Sequence, residues 1–160
     1  SLLDRITSIV AIKDWCSEPM LHEKHSRTLP DLPRPVTVLT THSAWLMSSL
    51  TMGAGGLLSG AGSVIADLQV ALFEAVQAKD LACAQAINDR IYPLVQAFYA
   101  PPFLDMHNRM KECLVLLGRL DKAVVRPPLM KLPADEIARL QAALGEAGIG
   151  REGALAEAAE

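Results

Sequence analysis

Residues 8–14 read Ser8-Ile9-Val10-Ala11-Ile12-Lys13-Asp14, an apolar run that ends in two charged side chains. A short continuous run of this kind is typical of a strand buried on both faces, as in a parallel sheet. The next element is predicted to be a helix, with Ser17 as its N-cap, Pro19 in its first turn and an end near Leu29. This strand–helix pair sets the pattern for the first half of the chain.

The strand–helix pattern occurs twice more along the sequence. Further strands are predicted at residues 36–39, Val-Thr-Val-Leu, and at residues 56–58, Gly-Leu-Leu. Further helices are predicted over residues 44–52, 65–78, 81–99, 104–117 and 135–147. Alternation of strands and helices indicates βαβ units and a parallel sheet. The fold class predicted is therefore α/β, followed by a helical segment.

The composition excludes several functional classes. The chain has 160 residues, of which 51% are hydrophobic and 21% charged, so it can form a buried core and is not intrinsically disordered. The formal net charge of -3 and an aromatic content of 4% do not favour a nucleic-acid-binding surface. The three cysteines form no CxxC pair, which argues against a disulfide framework or a zinc ribbon and favours the reducing cytoplasm.

Membrane insertion is also disfavoured by the sequence. Charged side chains interrupt the first stretch of the chain before a signal-peptide core could form. Residues 36–66 contain one ionisable side chain, that of His42. A segment this long with so little charge is long enough to span a bilayer. The segment is nevertheless rich in Gly, Ser and Thr and changes its pattern twice, so a buried α/β segment explains it better.

Lys13 is the most informative residue in the sequence because it follows a predicted buried strand directly. Substrates of parallel α/β proteins bind at the carboxyl ends of the strands. A lysine placed there and removed from water loses its proton more easily, and a neutral amine can attack a ketone to form a Schiff base. The same pattern also fits a lysine that leaves the strand into solvent beside Asp14.

Three histidines invite a functional interpretation. His42 follows the second strand, at the same sheet edge as Lys13, so either a polar contact to a substrate or a structural hydrogen bond is expected. His22 and His25 fall one residue short of the HExxH spacing; they could ligate a metal together with other residues, but we expect them on a solvated helix face. No metal site is predicted. No nucleotide site is predicted either, since the glycines at residues 53–62 do not match GxGxxG.

Several segments together resemble the carboxyl-terminal part of the dihydrodipicolinate synthase/N-acetylneuraminate lyase family. They cover about residues 2–147 in the family's order and spacing. The matching segments are Ile9-Val10-Ala11-Ile12-Lys13-Asp14, Met52-Gly53-Ala54-Gly55-Gly56-Leu57-Leu58-Ser59-Gly60, Ala78-Lys79-Asp80-Leu81, Tyr92-Pro93-Leu94, Lys111 ahead of Leu117-Gly118, and Val125-Arg126-Pro127-Pro128-Leu129.

The resemblance implies a class I aldolase or dehydratase built on a (βα)8 TIM barrel. Residues 1–78 would form a partial barrel with strands resembling the sixth to eighth, residues 79–147 a three-helix segment and residues 148–160 a flexible tail. Lys13 matches the lysine that forms the imine with pyruvate or another 2-keto acid, and no cofactor is implied because the imine is the electron sink. The remaining implied substrate-binding residues are Trp15, Thr41, His42, Leu58 and Ser59. A cytoplasmic homotetramer is implied, with no nucleic-acid or membrane partner.

The sequence also departs from the family pattern. A complete barrel needs about 250 residues, and the first five strands, the carboxylate-binding glycine/threonine loop and the fifth-strand tyrosine are missing. Tyr92 and Tyr99 lie in the helical segment and are not assigned the role of that tyrosine. Trp15 and Thr41 indicate a substrate other than that of lysine biosynthesis. His107-Asn108-Arg109 replaces a proline-containing run, and packing or interface roles are expected for it.

Two functions are compatible with these observations. The first is a lyase that uses Lys13 as a Schiff-base nucleophile for aldol cleavage, condensation or dehydration. The second is a catalytically incomplete fragment or an oligomerisation module of such an enzyme, since a partial barrel leaves sheet edges unpaired.

Overall fold

Three short strands form one parallel sheet in the computed structural model of the chain, which describes residues 2–150. The strands are β1 (Ala11–Asp14), β2 (Thr37–Thr40) and β3 (Gly56–Leu57), in the spatial order β1-β2-β3. All pairs are parallel, so the carboxyl ends of the strands meet at one edge. The predicted parallel sheet is confirmed.

Seven α-helices accompany the sheet within residues 2–150. They are α1 (Leu2–Arg5), α2 (Pro19–Thr28), α3 (Leu46–Thr51), α4 (Gly62–Gln77), α5 (Leu81–Phe98), α6 (Met106–Leu116) and α7 (Ala134–Glu146). Two 3₁₀ turns, Ser43–Trp45 and Phe103–Asp105, come directly before α3 and α6. None of the helices in residues 2–150 is long and apolar enough to span a membrane. The predicted tail falls mostly outside the described residues.

The beginning of α2 differs from the prediction by one residue. The N-cap is Glu18, whose carboxylate accepts hydrogen bonds from the backbone N–H groups of Met20 and Leu21, each at 3.1 Å. Ser17 instead has a positive φ of 57°, so it forms the turn between β1 and the cap. A glutamate can take this role because its longer side chain reaches back to the first-turn N–H groups, and its charge favours the helix N-terminus.

Helices cover the sheet on one face, and the second face is open in the described part of the chain. Val38 and Thr40 of β2 are fully buried against the helices, whereas Lys13 of β1 is exposed and Val10, just before β1, is 68% exposed. The prediction of a first strand buried on both faces is therefore wrong for residues 2–150, because no described element packs on the second face.

The main core lies among the four longer helices α4, α5, α6 and α7. Helix α5 packs against both α4 and α7, and α6 packs against α7. The most deeply buried apolar side chains in this core include Leu72, Ile91, Leu94, Phe98 and Leu140. Burial of such side chains supplies most of the favourable free energy of folding.

Arg109 of α6 is a fully buried cation that ties the helical segment together. Its Nε atom donates to Glu136 of α7 at 2.6 Å. Its terminal nitrogens donate to the backbone carbonyls of Phe98, Ala100 and Pro101, at 3.1, 2.6 and 3.3 Å. Every branch of the guanidinium is thus engaged, as a buried arginine requires. The expectation of a packing role for Arg109 is confirmed.

Candidate active site

Lys13 lies near the carboxyl end of β1 and points away from the helices. Its register partner Leu39 and the next partner, Gly56, occupy the same open face of the sheet. A Cβ atom at Gly56 would lie 2.9 Å from Leu39 Cδ2, so a larger residue would crowd this face. The neighbouring Asp14 points to the opposite face and is 4% exposed. This is the alternation that a β-strand imposes on successive side chains.

A cavity of about 180 Å³ opens at the carboxyl ends of β1 and β2. Its lining residues are Trp15, Ser17, Thr41, His42, Ser43, Ala44, Trp45, Tyr99 and Phe103. Trp15 and Phe103 contact each other with ring centroids 5.8 Å apart, so one wall of the cavity combines the loop after β1 with the helical segment. The size of the cavity suits a small molecule with a few heavy atoms.

Three hydroxyl groups come together beside this cavity. Ser43 and Ser59 are hydrogen-bonded to each other, and Gln69 Nε2 donates to Ser59 Oγ at 3.2 Å. Burial raises the pKa of the Tyr99 phenol, and hydrogen bonds with Ser43 and Ser59 offset part of that rise. The Tyr99 phenol therefore stays protonated and can donate a hydrogen bond.

Tyr99 is a residue that sequence reasoning missed. The sequence analysis did not assign it the role of the fifth-strand tyrosine and gave it no other role in the site, yet its side chain reaches the carboxyl ends of β2 and β3. No local sequence signal reveals this contact, since it depends on how α5 packs against the 3₁₀ turn that precedes α3.

The Asp14 carboxylate accepts hydrogen bonds from two histidines of α2. His22 Nδ1 and His25 Nδ1 each lie 2.9 Å from Asp14 Oδ2, and the backbone N–H of Cys16 donates to Oδ1 at 2.9 Å. Burial raises the pKa of Asp14, but the hydrogen bonds from His25, His22 and Cys16 outweigh it and hold the pKa well below its usual range. Asp14 is therefore a stable anion. The prediction of a solvated face is wrong for His22, which is fully buried.

His42 is buried beside this carboxylate. Its ring stacks on Trp45 with centroids 4.2 Å apart and meets His22 edge-on at 5.0 Å. Burial and the nearby His22 lower the pKa of His42, although the Asp14 charge opposes them. Burial likewise raises the pKa of the Cys16 thiol, and Asp14 adds to the rise. Both side chains are consequently neutral near pH 7.

The predicted site residues fall into two groups. Trp15, Thr41 and His42 line the same cavity, and Ser59 joins its wall through Ser43. Lys13 and Leu58 are exposed and do not line that cavity. The removal of the Lys13 amine from water that the sequence predicts is thus not provided by residues 2–150.

Comparison with known proteins decides the family. The sequence profile of the dihydrodipicolinate synthetase family matches residues 1–147. The chain belongs to this family. The predicted resemblance is therefore confirmed.

Individual relatives agree with this dihydrodipicolinate synthetase family membership. A 4-hydroxy-tetrahydrodipicolinate synthase from Kineococcus radiotolerans is 35% identical over 100 residues, which are 62% of this chain and 32% of that protein. A DapA-like lyase from Chloroflexus aurantiacus is 31% identical over 121 residues, 75% of this chain and 38% of its own length. The chain spans about a third to a half of the length of the relatives it matches.

Solved structures of the family share the fold. YagE from Escherichia coli, a prophage protein of the dihydrodipicolinic acid synthase family solved in complex with pyruvate, superposes with a TM-score of 0.81 at 25% identity. The superposition covers 92% of this chain and 49% of YagE. The dihydrodipicolinate synthase from Thermotoga maritima gives a TM-score of 0.76 at 19% identity, over 87% of this chain and 46% of that enzyme. The α/β fold of this chain is thus that of the family's enzymes.

Proposed function

We propose that this chain is part of a lyase in which Lys13 forms a Schiff base with pyruvate or another 2-keto acid. The observation that carries the proposal is the family match over residues 1–147, which includes Lys13 near the carboxyl end of a parallel strand. The pyruvate complex of the similar protein YagE supports a 2-keto acid as substrate class.

The proposed chemistry begins at the Lys13 amine. Neutral Nζ attacks the C2 carbonyl of the 2-keto acid, and protonation of the resulting carbinolamine with loss of water gives a protonated imine. In aldol cleavage the imine nitrogen accepts the electron pair of the C3–C4 bond, while the C4 hydroxyl gives its proton to solvent and an aldehyde leaves. When the enamine forms for condensation or dehydration, the nitrogen accepts the electron pair of a C3–H bond and the proton passes to solvent. The lysine imine is the electron sink, so the proposal includes no cofactor.

The proposed pocket around the substrate uses the carboxyl ends of all three strands. Trp15 and Thr41 shape the space beyond the imine, the His42 ring forms part of the wall, and the Leu58 backbone carbonyl faces the substrate. Ser59, with Ser43 and Tyr99, supplies hydroxyl groups that can donate hydrogen bonds to substrate oxygens.

We further propose that the sheet corresponds to the last three βα units of a (βα)8 barrel. The open face that carries Lys13 would then be the barrel interior, and the helical segment of residues 79–147 would pack beneath the barrel. A cytoplasmic homotetramer remains part of this proposal. The superposition with family enzymes over about nine-tenths of the chain supports the assignment to a (βα)8 barrel.

A second candidate function is a catalytically incomplete fragment or an oligomerisation module. The observation that favours it is the exposure of Lys13, since the described residues leave its amine in water. Lysine nucleophiles are activated by removal from water, which the described residues do not provide for Lys13. The open sheet face and the unpaired strand edges would then bind other protein chains.

Hydrogen exchange into pyruvate tests the proposed function without knowledge of a second substrate. The complete gene product is incubated with pyruvate in D₂O, and the methyl protons of pyruvate are followed by NMR. An enamine at Lys13 exchanges these protons at a rate proportional to protein concentration. The incomplete fragment would be favoured if the protein exchanged the protons of pyruvate, and of longer 2-keto acids, no faster than buffer alone does.

Trp15→Ala is expected to change substrate preference. The exposed indole stands two residues after Lys13, so it narrows the space next to the imine and disfavours long substrates. We expect the ratio of kcat/KM values for long and short 2-keto acids to rise more than about tenfold, or about 1.4 kcal/mol. Equal losses for all substrates would mean that Trp15 serves packing alone. Trp45→Phe, at another position that lines the same cavity, is the matched control.

A further inference from the structure

Four potential metal-ligating side chains converge on the helix-covered side of the β1 carboxyl end. They belong to Asp14, Cys16, His22 and His42, and one ligand atom of each lies within 4.8 Å of those of the other three. Asp14, His22 and His42 are at most 4% exposed, while Cys16 is partly buried. The cluster draws on β1, the loop after it, α2 and the loop after β2.

The distances among these atoms approach those of a tetrahedral site. His42 Nε2 lies 3.9 Å from Asp14 Oδ1 and 3.9 Å from Cys16 Sγ. Ligand bonds of about 2.0–2.3 Å to zinc place neighbouring tetrahedral ligands about 3.3–3.8 Å apart. The ligand atoms of the cluster all lie within 4.8 Å of one another, so approaches of up to about 1 Å would bring them to the spacing that one ion requires.

His22 can complete the set through Nδ1. That atom now lies 2.9 Å from Asp14 Oδ2, and binding an ion would replace this hydrogen bond. Ser49 Oγ lies 2.6 Å from His22 Nε2, so it can accept a hydrogen bond from Nε2–H once Nδ1 binds the metal. Such a partner fixes the tautomer and the ring orientation of a metal-bound histidine.

The remaining neighbours orient the carboxylate and the second imidazole. His25 Nδ1 contacts Asp14 Oδ2 at 2.9 Å, which leaves Oδ1 directed toward His42 and Cys16. The stacking of His42 on Trp45 fixes the plane of that ring. The ligand set therefore has the supporting contacts that protein metal sites require.

We propose that Asp14, Cys16, His22 and His42 bind one Zn²⁺ ion in a structural site. Two imidazole nitrogens, one thiolate and one carboxylate form a closed four-ligand set of the kind zinc occupies. Binding displaces the Cys16 thiol proton to solvent. The ion would join α2 and the loop after β2 to the strand end that carries Lys13. This inference does not rest on the proposed Schiff-base chemistry, although His42 belongs both to the ligand set and to the wall of the proposed substrate pocket.

The four ligands could not be assembled from the sequence alone. His22 and His25 match no zinc spacing, and Cys16 and His42 are isolated in the sequence. The expectation that the chain binds no metal came from these spacings. The parallel pairing of β1 with β2 brings the loops after both strands to one place, which no spacing motif describes.

Metal analysis and cobalt substitution test this site. The complete gene product, prepared without a histidine tag, is stripped with a chelator, dialysed and titrated with ZnCl₂ and, separately, with CoCl₂. We expect one equivalent of Zn²⁺ to bind. The Co²⁺ form should show tetrahedral ligand-field bands and a thiolate-to-cobalt charge-transfer band.

Variants distinguish this site from adventitious binding. Cys16→Ser should remove the charge-transfer band, and both Cys16→Ser and His42→Ala should weaken zinc binding about 100-fold or more. The matched controls are Cys83→Ser and His107→Ala, both at exposed positions, which should leave affinity and spectrum unchanged. Far-UV circular dichroism verifies that each variant is folded.

Several results would overturn the proposal. One is the failure of the folded apoprotein to take up stoichiometric Zn²⁺. Another is a zinc affinity that Cys16→Ser and His42→Ala leave unchanged. Because pyruvate exchange is measured separately, a failed zinc test leaves the Schiff-base proposal untouched, and a failed exchange test leaves the zinc site untouched.

Discussion

Lys13→Arg is expected to lower turnover of 2-keto acids, and the pyruvate hydrogen exchange, by about 10³-fold or more, as loss of a covalent nucleophile does in other enzymes. Arginine keeps the positive charge and a similar length, but its guanidinium stays protonated and does not form an imine with a ketone. Exchange of pyruvate protons followed by NMR in the complete gene product measures the loss.

Lys24→Arg is the matched control for this prediction. Lys24 lies on α2 and is exposed, as Lys13 is in the described residues, but it is remote from any strand end. Its replacement should leave the exchange rate within about twofold of the unmodified protein, as is usual for exposed surface positions. If Lys13→Arg retained most of the exchange rate, another residue would have to carry the chemistry.

Arg109→Met is expected to lower the free energy of unfolding by about 3–5 kcal/mol, the usual cost of removing one member of a buried ion pair. The change leaves Glu136 without its cation and leaves the carbonyls of Phe98, Ala100 and Pro101 without their donors. Urea unfolding of the complete gene product, with equal slopes for both proteins, measures the difference.

Arg139→Met provides the matched control on α7. Arg139 is 68% exposed and pairs with Asp135 at 3.4 Å, so its loss should cost no more than about 0.5 kcal/mol. If Arg109→Met proves too unstable to purify, Arg109→Lys keeps the charge and should show a smaller loss. Equal effects at positions 109 and 139 would contradict the role assigned to Arg109.

The strands and helices could be predicted because their signals are local. The apolar run at residues 8–14 predicts β1 within a few residues, and the amphipathic periodicity of residues 81–99 and 135–147 predicts α5 and α7. The ends of the helices were predicted less accurately. The N-cap of α2 is Glu18 and not Ser17, because a cap depends on which side chain reaches the first-turn N–H groups.

Contacts between distant segments could not be predicted. The approach of Tyr99 to Ser43 and Ser59, and of His22 and His42 to Asp14, follows from the packing of helices onto the sheet. The sequence left both an enclosed and a solvent-exposed Lys13 open, because the run at residues 8–12 has the composition of a fully covered strand, whereas the described elements cover one face and leave Lys13 exposed.

The last two residues of β1, Lys13 and Asp14, point to opposite faces of the sheet. Lys13 points to the open face, and Asp14 points to the helix-covered face, where it accepts hydrogen bonds from His22 and His25. The polar contacts of Asp14 fix the backbone immediately after Lys13. The position of the proposed nucleophile therefore depends on a buried hydrogen-bond network on the opposite face of the sheet.

Reductive trapping with borohydride tests the central claim most directly. The complete gene product is mixed with pyruvate and borohydride, digested and analysed by mass spectrometry, which locates the secondary amine formed from a reduced imine. We expect the adduct on Lys13 and on none of the other lysines, with little or none in the isolated 160-residue chain, where the Lys13 amine is exposed. Trapping at a different lysine, or no trapping with any 2-keto acid, would contradict the assignment of Lys13 as the nucleophile.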